Sequence, residues 1–114
     1  MSAKFETENG VVVITLDGNL LGAPESSDLL EKVADSINDG KTKFAIELQA
    51  VKFINSSGLS FLLTVLTKAR KAGGDIVLVG ITEQLSKLLI ITKLNSIFST
   101  ATTREQAMNI LGKS

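Results

Sequence analysis

The sequence predicts an α/β fold in which a mixed, mostly parallel sheet begins with an antiparallel hairpin and has helices packed on it. An Asn9-Gly10 pair separates two strand-like segments near the start of the chain. Strand-like and helix-like segments then alternate, giving the order β-β-α-β-α-β-α-β-α, which is typical of parallel sheets covered by helices. The 114 residues are 44% hydrophobic and 21% charged, so one globular domain over residues 1–114 is expected.

The hairpin is predicted from two segments around Asn9-Gly10. Residues 4–8 alternate between polar and apolar side chains, as a half-buried strand does. Asn9 and Gly10 tolerate the positive φ angles that two-residue hairpin turns require. Residues 11–16 are rich in β-branched side chains and form the predicted return strand, and residues 17–23 form a predicted loop.

The first helix is predicted to start at Pro24, because the first helical turn does not use the N–H that proline lacks. The helix ends at Asn38-Asp39-Gly40, with Gly40 as its left-handed cap. The apolar residues at helical spacing between these limits are Leu29, Leu30, Val33, Ala34 and Ile37.

Residues 43–49 alternate cleanly and form the next predicted strand. Phe44, Ile46 and Leu48 share one face of this strand. The other face carries Lys43, Ala45, Glu47 and Gln49 and is predicted to be wet or only lightly covered. Residues 51–54 run on into the turn Asn55-Ser56-Ser57-Gly58.

The second helix is predicted from about residue 57 to residue 71, where Gly73-Gly74 follows. Its core stripe consists of Leu59, Leu62, Leu63 and Leu66. Phe61 lies almost opposite that stripe, close to Val65. Two interpretations are open: Phe61 packs under a neighbouring helix, or Phe61 and Val65 form an exposed partner surface beside Ser56.

The remaining elements complete the alternation. Residues 75–79 are apolar throughout and predict a buried strand that Gly80 closes. A third helix is predicted over about 82–91 and a short strand near 97–99. The last helix, about 103–111, begins with an N-cap threonine and has a Glu or Gln three residues on.

Composition excludes several classes of function. The chain contains no Cys and no His, so Ser-His-Asp and Cys-His catalysis and cysteine metal sites are impossible within it. It contains no Trp and no Tyr for stacking on single-stranded nucleic acid. Twelve basic and twelve acidic residues balance, which gives no long-range attraction to nucleic acid or to an anionic membrane. We therefore expect no metal, no cofactor and no direct binding of nucleic acid or membrane.

Residues 1–10 lack the apolar core of a secretory signal, and the expected location is cytoplasmic.

Two sequence patterns are interpreted as carrying no function. Leu111-Gly112-Lys113-Ser114 is similar to the end of a P-loop, but Ala107 stands where the first glycine of that motif is needed. Glu25, Asp28 and Glu31 are interpreted as a solvated helix face.

The informative segment is Asn55-Ser56-Ser57-Gly58-Leu59, where a strand turns into an apolar helix. In the structural interpretation, Asn55 or Ser56 is the N-cap and Gly58 permits close packing. In the functional interpretation, a hydroxyl at this helix start accepts a phosphoryl group, because free N–H groups and the helix dipole stabilise the added charge.

This segment resembles the Asp-Ser-Ser-Gly-Leu signature of STAS domains, in particular those of anti-sigma factor antagonists. The resemblance extends over nearly the whole chain and includes the opening hairpin, Gly18 and the segment from Ala72 to Gly80. It implies a STAS-type fold without enzymatic activity. It also implies that an anti-sigma factor that is a serine kinase phosphorylates Ser56, and that a metal-dependent serine phosphatase reverses this. The implied partner surface comprises Asn55, Ser56, Ser57, Gly58, Leu59 and Phe61.

Two positions depart from the family pattern: Asn55 replaces the usual acid, and Gly22 stands where an Asp usually follows Leu21. Two alternatives to the phosphorylation switch are open. One is a structural STAS module, such as a scaffold or a small subunit of a signalling or transport complex. The other is an enzyme with a serine nucleophile, for which Lys52 is the only local base.

Overall fold

The structure is a computed structural model that describes residues 2–22 and 25–112. Pro24, predicted at the start of the first helix, lies outside the described residues, as do Lys113 and Ser114. None of the helices in the described ranges is long and apolar enough to span a bilayer.

The elements follow one another in the predicted order. They are β1 (Ser2–Glu8), β2 (Val11–Leu20), α1 (Glu25–Asn38), β3 (Lys43–Ile54), α2 (Ser56–Lys71), β4 (Asp75–Val79), α3 (Glu83–Ile91), β5 (Ser99–Ala101) and α4 (Arg104–Gly112).

The five strands form one sheet in the spatial order β1-β2-β3-β4-β5. β1 and β2 are antiparallel, and the other three neighbouring pairs are parallel. The turn between β1 and β2 has the predicted conformation, since φ is 52° at Asn9 and 80° at Gly10. The mixed α/β fold predicted from the sequence is therefore confirmed.

β2 is longer than predicted. It continues to Leu20, although residues 17–23 were expected to form a loop. Asp17, Gly18 and Asn19 are poor strand formers, but parallel pairing with β3 outweighs that preference, and two register irregularities absorb the misfit. β4 pairs with β3 only as far as Glu47, so β2 and β3 extend together beyond the rest of the sheet.

The two faces of the sheet carry separate cores. Side chains of α1, α2 and α3 pack on one face against Ile14, Phe44, Ile46 and Leu78. α4 covers the opposite face through two fully or nearly fully buried side chains, Ala107 and Leu111. The rest of this second cluster consists of Val11, Val13, Ala45, Val77, Val79 and Ala101.

The second face of β3 is lightly covered, which is one of the two states that the alternation of residues 43–49 predicted: α4 covers its middle, and Gln49 at its end is exposed. Ala45 and Glu47 are both buried, because α4 lies over them. The alternation arises because this face is built from small or polar side chains, and a single helix is enough to cover them.

β5 also departs from its prediction. It comprises Ser99–Ala101 and not residues 97–99. Ile97 belongs to the preceding turn, where its N–H donates to the carbonyl of Leu94 at 3.0 Å. Phe98 packs into the main core, so its apolar character reflects burial in a loop and not strand pairing.

Left-handed residues follow the carboxyl ends of three helices. Gly40 (φ 85°) caps α1, as predicted, and Gly73 (φ 87°) caps α2. The same type of cap ends α3, but there the left-handed residue is Lys93, with φ 62°. The N–H of Lys93 donates to the carbonyl of Ile90 at 3.0 Å, which completes the cap.

Candidate functional site

The candidate site is the turn between β3 and α2, at the carboxyl end of the central strand. Of the two predicted N-caps, the structure selects Asn55. Its Oδ1 accepts a hydrogen bond from the N–H of Gly58 at 2.8 Å, and its carbonyl accepts one from the N–H of Leu59 at 2.9 Å. α2 thus begins at Ser56, one residue earlier than predicted.

Ser56 and Ser57 are exposed at the first two helical positions. Within the described ranges, their backbone N–H groups donate to no acceptor, as is usual in a first helical turn. The first turn of α2 contains no acidic side chain. The turn therefore presents two hydroxyls and two free donors at the positive end of a helix dipole, which is a favourable place for an anion.

Gly58 fixes the approach of α2 to the sheet. A Cβ at this position would lie 2.1 Å from the carbonyl oxygen of Leu20, the last residue of β2. The same atom would lie 2.9 Å from Cγ1 of Ile54. Because a carbonyl oxygen of the backbone cannot rotate away, only glycine allows the helix to start at this distance from β2.

A second glycine holds the turn from the other side. Gly22 is buried in the segment after β2, with φ 93°, and a Cβ there would lie 2.7 Å from Cβ of Ser57. Gly22, noted above as a departure from the family pattern, thus has a structural role. The segment before α1 and the start of α2 are packed together through this contact.

Three residues of the predicted partner surface are buried: Gly58, Leu59 and Phe61. Leu59 is buried, as its place in the core stripe predicts. Phe61 is only 4% exposed and Val65 is 0% exposed. Of the two interpretations, the packed one therefore agrees with the structure, and the exposed partner surface formed by Phe61 and Val65 is wrong. α2 is buried on a broader arc than the leucine stripe, because it packs against both the sheet and α1. Leu63, assigned to the stripe, is only partly buried.

Other apolar side chains are exposed near the site. Leu21 follows directly after the end of β2, and Phe53 precedes Ile54 on β3. They are 46% and 45% exposed, respectively. Because Leu20 and Ile54 are register partners, both exposed side chains lie at the same end of the β2–β3 pair as Ser56.

One residue that contacts the site was not predicted from the sequence. The side chain of Gln84, on α3, makes two hydrogen bonds to the backbone of Ile54. The N–H of Ile54 donates to Oε1 at 3.0 Å, and Nε2 donates to the carbonyl of Ile54 at 2.8 Å. No local signal could reveal this contact, since Gln84 is 30 residues away in the chain.

A second polar cluster lies away from the site, on the face of the sheet that α4 covers. Arg104 binds the buried carboxylate of Glu47 through two hydrogen bonds, from Nη2 at 2.7 Å and from Nε at 3.1 Å. The hydroxyl of Thr15 donates to the same carboxylate at 2.8 Å. These bonds, above all those from Arg104, lower the pKa of Glu47, although burial raises it. The cluster fastens α4 to the sheet.

The described residues hold no group of three or more acidic side chains that could bind a metal ion. Lys52, the local base considered above, is exposed on β3. The site is thus a serine-bearing helix start supported by close backbone packing.

The sheet order, the placement of the helices and the serine turn define a small mixed α/β domain with an exposed helix start at its centre. The chain belongs to the STAS domain family, since the model of that family matches residues 2–107.

Individual relatives agree with this assignment. The chain is 24% identical over 107 residues to BtrV of Bordetella bronchiseptica, which is named as a candidate anti-sigma factor antagonist; the match covers 94% of this chain and 91% of BtrV. The crystal structure of a candidate anti-sigma factor antagonist from Thermotoga maritima has a TM-score of 0.84 and 26% identity, covering 96% of this chain and 94% of that one.

The anti-sigma factor antagonist SpoIIAA of Bacillus has the same fold in both of its forms. The unphosphorylated form has a TM-score of 0.78 at 19% identity and covers 99% of this chain and 100% of its own. The phosphorylated form has a TM-score of 0.75 at 22% identity, covering 96% and 98%.

Proposed function

We propose that this protein is an anti-sigma factor antagonist that works by binding and is switched by phosphorylation at Ser56. In its unphosphorylated form it binds an anti-sigma factor that is also a serine kinase, and the sigma factor is released. Phosphorylation of Ser56 ends that binding, and a metal-dependent serine phosphatase restores it. The protein itself catalyses no reaction and acts in the cytoplasm.

The observation that carries this proposal is the exposed Ser56 at the start of α2, in a domain with the fold of anti-sigma factor antagonists. Ser56 and Ser57 both offer exposed hydroxyls, but Ser57 lies beside Gly22, where an added Cβ would be 2.7 Å from Cβ of Ser57. Ser56 is therefore the acceptor we favour. The resemblance to the family signature supports the same choice, because Ser56 matches the first serine of that signature.

Asn55 suits this role. Its Oδ1 caps α2 through the N–H of Gly58, which is the contact an aspartate would also make. An amide in place of a carboxylate removes one negative charge beside Ser56, so the addition of a phosphoryl group meets less repulsion. Asn55 therefore caps α2 although it differs from the residue that is usual in the family.

The physical basis of the switch is charge within an interface. A phosphoserine carries about −1.5 to −2 charges at neutral pH. At the start of α2 this charge is stabilised by the dipole and by free N–H groups, so the fold should remain intact. Inside a docked interface the same charge must lose its water, and each 1.4 kcal/mol of that cost lowers the affinity about tenfold.

The experiment is titration calorimetry of the protein against its anti-sigma kinase, with circular dichroism as a check on folding. We expect Ser56→Ala to bind persistently in the presence of ATP. Ser56→Asp and the phosphorylated protein should bind at least about tenfold more weakly while staying folded. Ser57→Ala is the matched control and should still be phosphorylated, at Ser56 only, by peptide mapping.

Equal affinities of the phosphorylated and unphosphorylated forms would refute the switch and favour the structural STAS module. Phosphate mapped to Ser57 would show that the acceptor is the next residue. Loss of the fold on phosphorylation would contradict the exposed position of Ser56.

A further inference from the structure

The last residue of β3 lacks a strand neighbour on one side. β4 pairs with β3 only from Lys43 to Glu47, and Ile54 lies seven residues farther along the strand. On the β2 side, the N–H of Asn55 reaches the carbonyl of Leu20 at 3.4 Å. On the α3 side, the backbone of Ile54 is satisfied by one side chain, that of Gln84.

The Gln84 carboxamide reproduces what a neighbouring strand would offer. It accepts from the N–H of Ile54 at 3.0 Å and donates to the carbonyl of the same residue at 2.8 Å. A glutamate would lack the donor at neutral pH, and an asparagine would be one methylene too short. Among the side chains of this length, only glutamine supplies both the acceptor for the N–H of Ile54 and the donor for its carbonyl.

Gln84 is itself held rigidly. Leu85 and Leu89 bury α3 in the main core, and Thr82 caps the helix by accepting from the N–H of Leu85 at 3.3 Å. The residue that Gln84 binds is followed directly by the N-cap Asn55 and then by Ser56. The serine turn is thus bounded by Leu20 of β2 on one side and by α3 on the other.

We propose that Gln84 is a positioning residue that fixes the Ser56 turn in the geometry needed for phosphoryl transfer. The proposal deepens the function proposed above and rests on it. Gln84 does not touch the hydroxyl of Ser56. It acts through Ile54 and Asn55, and holds the turn at its strand end.

The test uses Gln84→Met, which keeps the length of the side chain and removes both hydrogen bonds. Glu83→Gln is the matched control, because Glu83 is the exposed neighbour on the same helix and, among the described residues, forms its one ion pair with Lys87 at 3.2 Å. The first measurement is amide hydrogen exchange of the free protein by NMR. We expect exchange at Ile54 and at Gly58 to accelerate about tenfold in Gln84→Met and to stay unchanged in Glu83→Gln.

The second measurement is phosphorylation of each variant by the anti-sigma kinase, corrected for the folded fraction. We expect kcat to fall about tenfold in Gln84→Met while KM changes little, because the substitution leaves the exposed residues around Ser56 unchanged. A purely structural role for Gln84 would alter the folded fraction and leave kcat of the folded protein unchanged.

Unchanged exchange at Ile54 and Gly58 would overturn the proposal, and so would accelerated exchange with an unaltered kcat. If the wild-type protein is not phosphorylated at Ser56, the proposed function fails. The exchange rates at Gly58 then decide alone whether Gln84 fixes the turn. The two failures are therefore distinguishable.

Discussion

Substitution of Gly58 by alanine tests the packing of α2 against β2 most directly. The added Cβ would lie 2.1 Å from the carbonyl oxygen of Leu20, whereas ordinary contact begins near 3.4 Å. The start of α2 must therefore move away from β2 by about 1.3 Å, or the end of β2 must bend. Either change also disturbs the hydrogen bond from Gly58 to the cap Asn55.

The magnitude follows from two opposing effects. Overpacking of this kind typically costs about 1–3 kcal/mol, and a clash with a backbone atom belongs at the upper end of that range. Alanine regains up to about 1 kcal/mol through its better helix propensity. We expect Gly58→Ala to lower the free energy of unfolding by about 2 kcal/mol, and the melting temperature by about 6–10 °C.

The assay is urea unfolding followed by circular dichroism, with Gly112→Ala as the matched control. A Cβ at Gly112, near the end of α4, meets nothing within 4 Å, so this variant should be as stable as the wild type or slightly more stable. If Gly58→Ala and Gly112→Ala unfold at the same urea concentration, the close approach of α2 to Leu20 is refuted.

Two further substitutions probe the remaining contacts. Arg104→Ala should lower the free energy of unfolding by about 2 kcal/mol at pH 7, because it leaves the buried Glu47 carboxylate with few partners. Arg70→Ala breaks an exposed pair with Asp75 and an exposed hydrogen bond to the carbonyl of Ile97, and should cost at most about 1 kcal/mol. Arg104 lowers the pKa of Glu47. The stability that this pair gives the fold is therefore fully present above the ordinary glutamate pKa of about 4.3, and it is lost as the pH falls from there through the lowered pKa of Glu47. The stability gap between Arg104→Ala and the wild type should therefore shrink between pH 7 and pH 3.5 in urea titrations, and a constant gap would contradict this account. Lys93→Gly should raise the free energy of unfolding by about 1 kcal/mol in thermal melts, because glycine adopts the φ of 62° without strain; an unchanged or lowered stability would show that the lysine is not strained there.

The local patterns of the sequence predict most of the architecture. The Asn9-Gly10 turn and the glycines that end α1 and α2 act through their own backbone angles, which depend little on distant residues. They are therefore readable from the sequence. The same holds for the start of α2, where a polar cap precedes an apolar helix.

Most of the features that sequence reasoning missed depend on distant partners. β2 continues through Asp17 and Gly18 because β3 pairs with it, and Phe61 is buried because α2 packs on two sides. At the candidate site, the role of Gly58 depends on the carbonyl of Leu20, and Gln84 contacts a backbone 30 residues away. Such contacts leave no periodicity in the chain.

The strand order β1-β2-β3-β4-β5 has a consequence for how the protein is made. Each strand that leaves the ribosome finds its partner in the strand synthesised just before it, and no later strand has to be inserted between two earlier ones. The sheet can therefore grow from its amino-terminal edge during translation. α4 is synthesised after all five strands, so the valine-rich face that it covers stays open until then. A nascent chain that stalls before Arg104 would display this face and would be a natural client for chaperones.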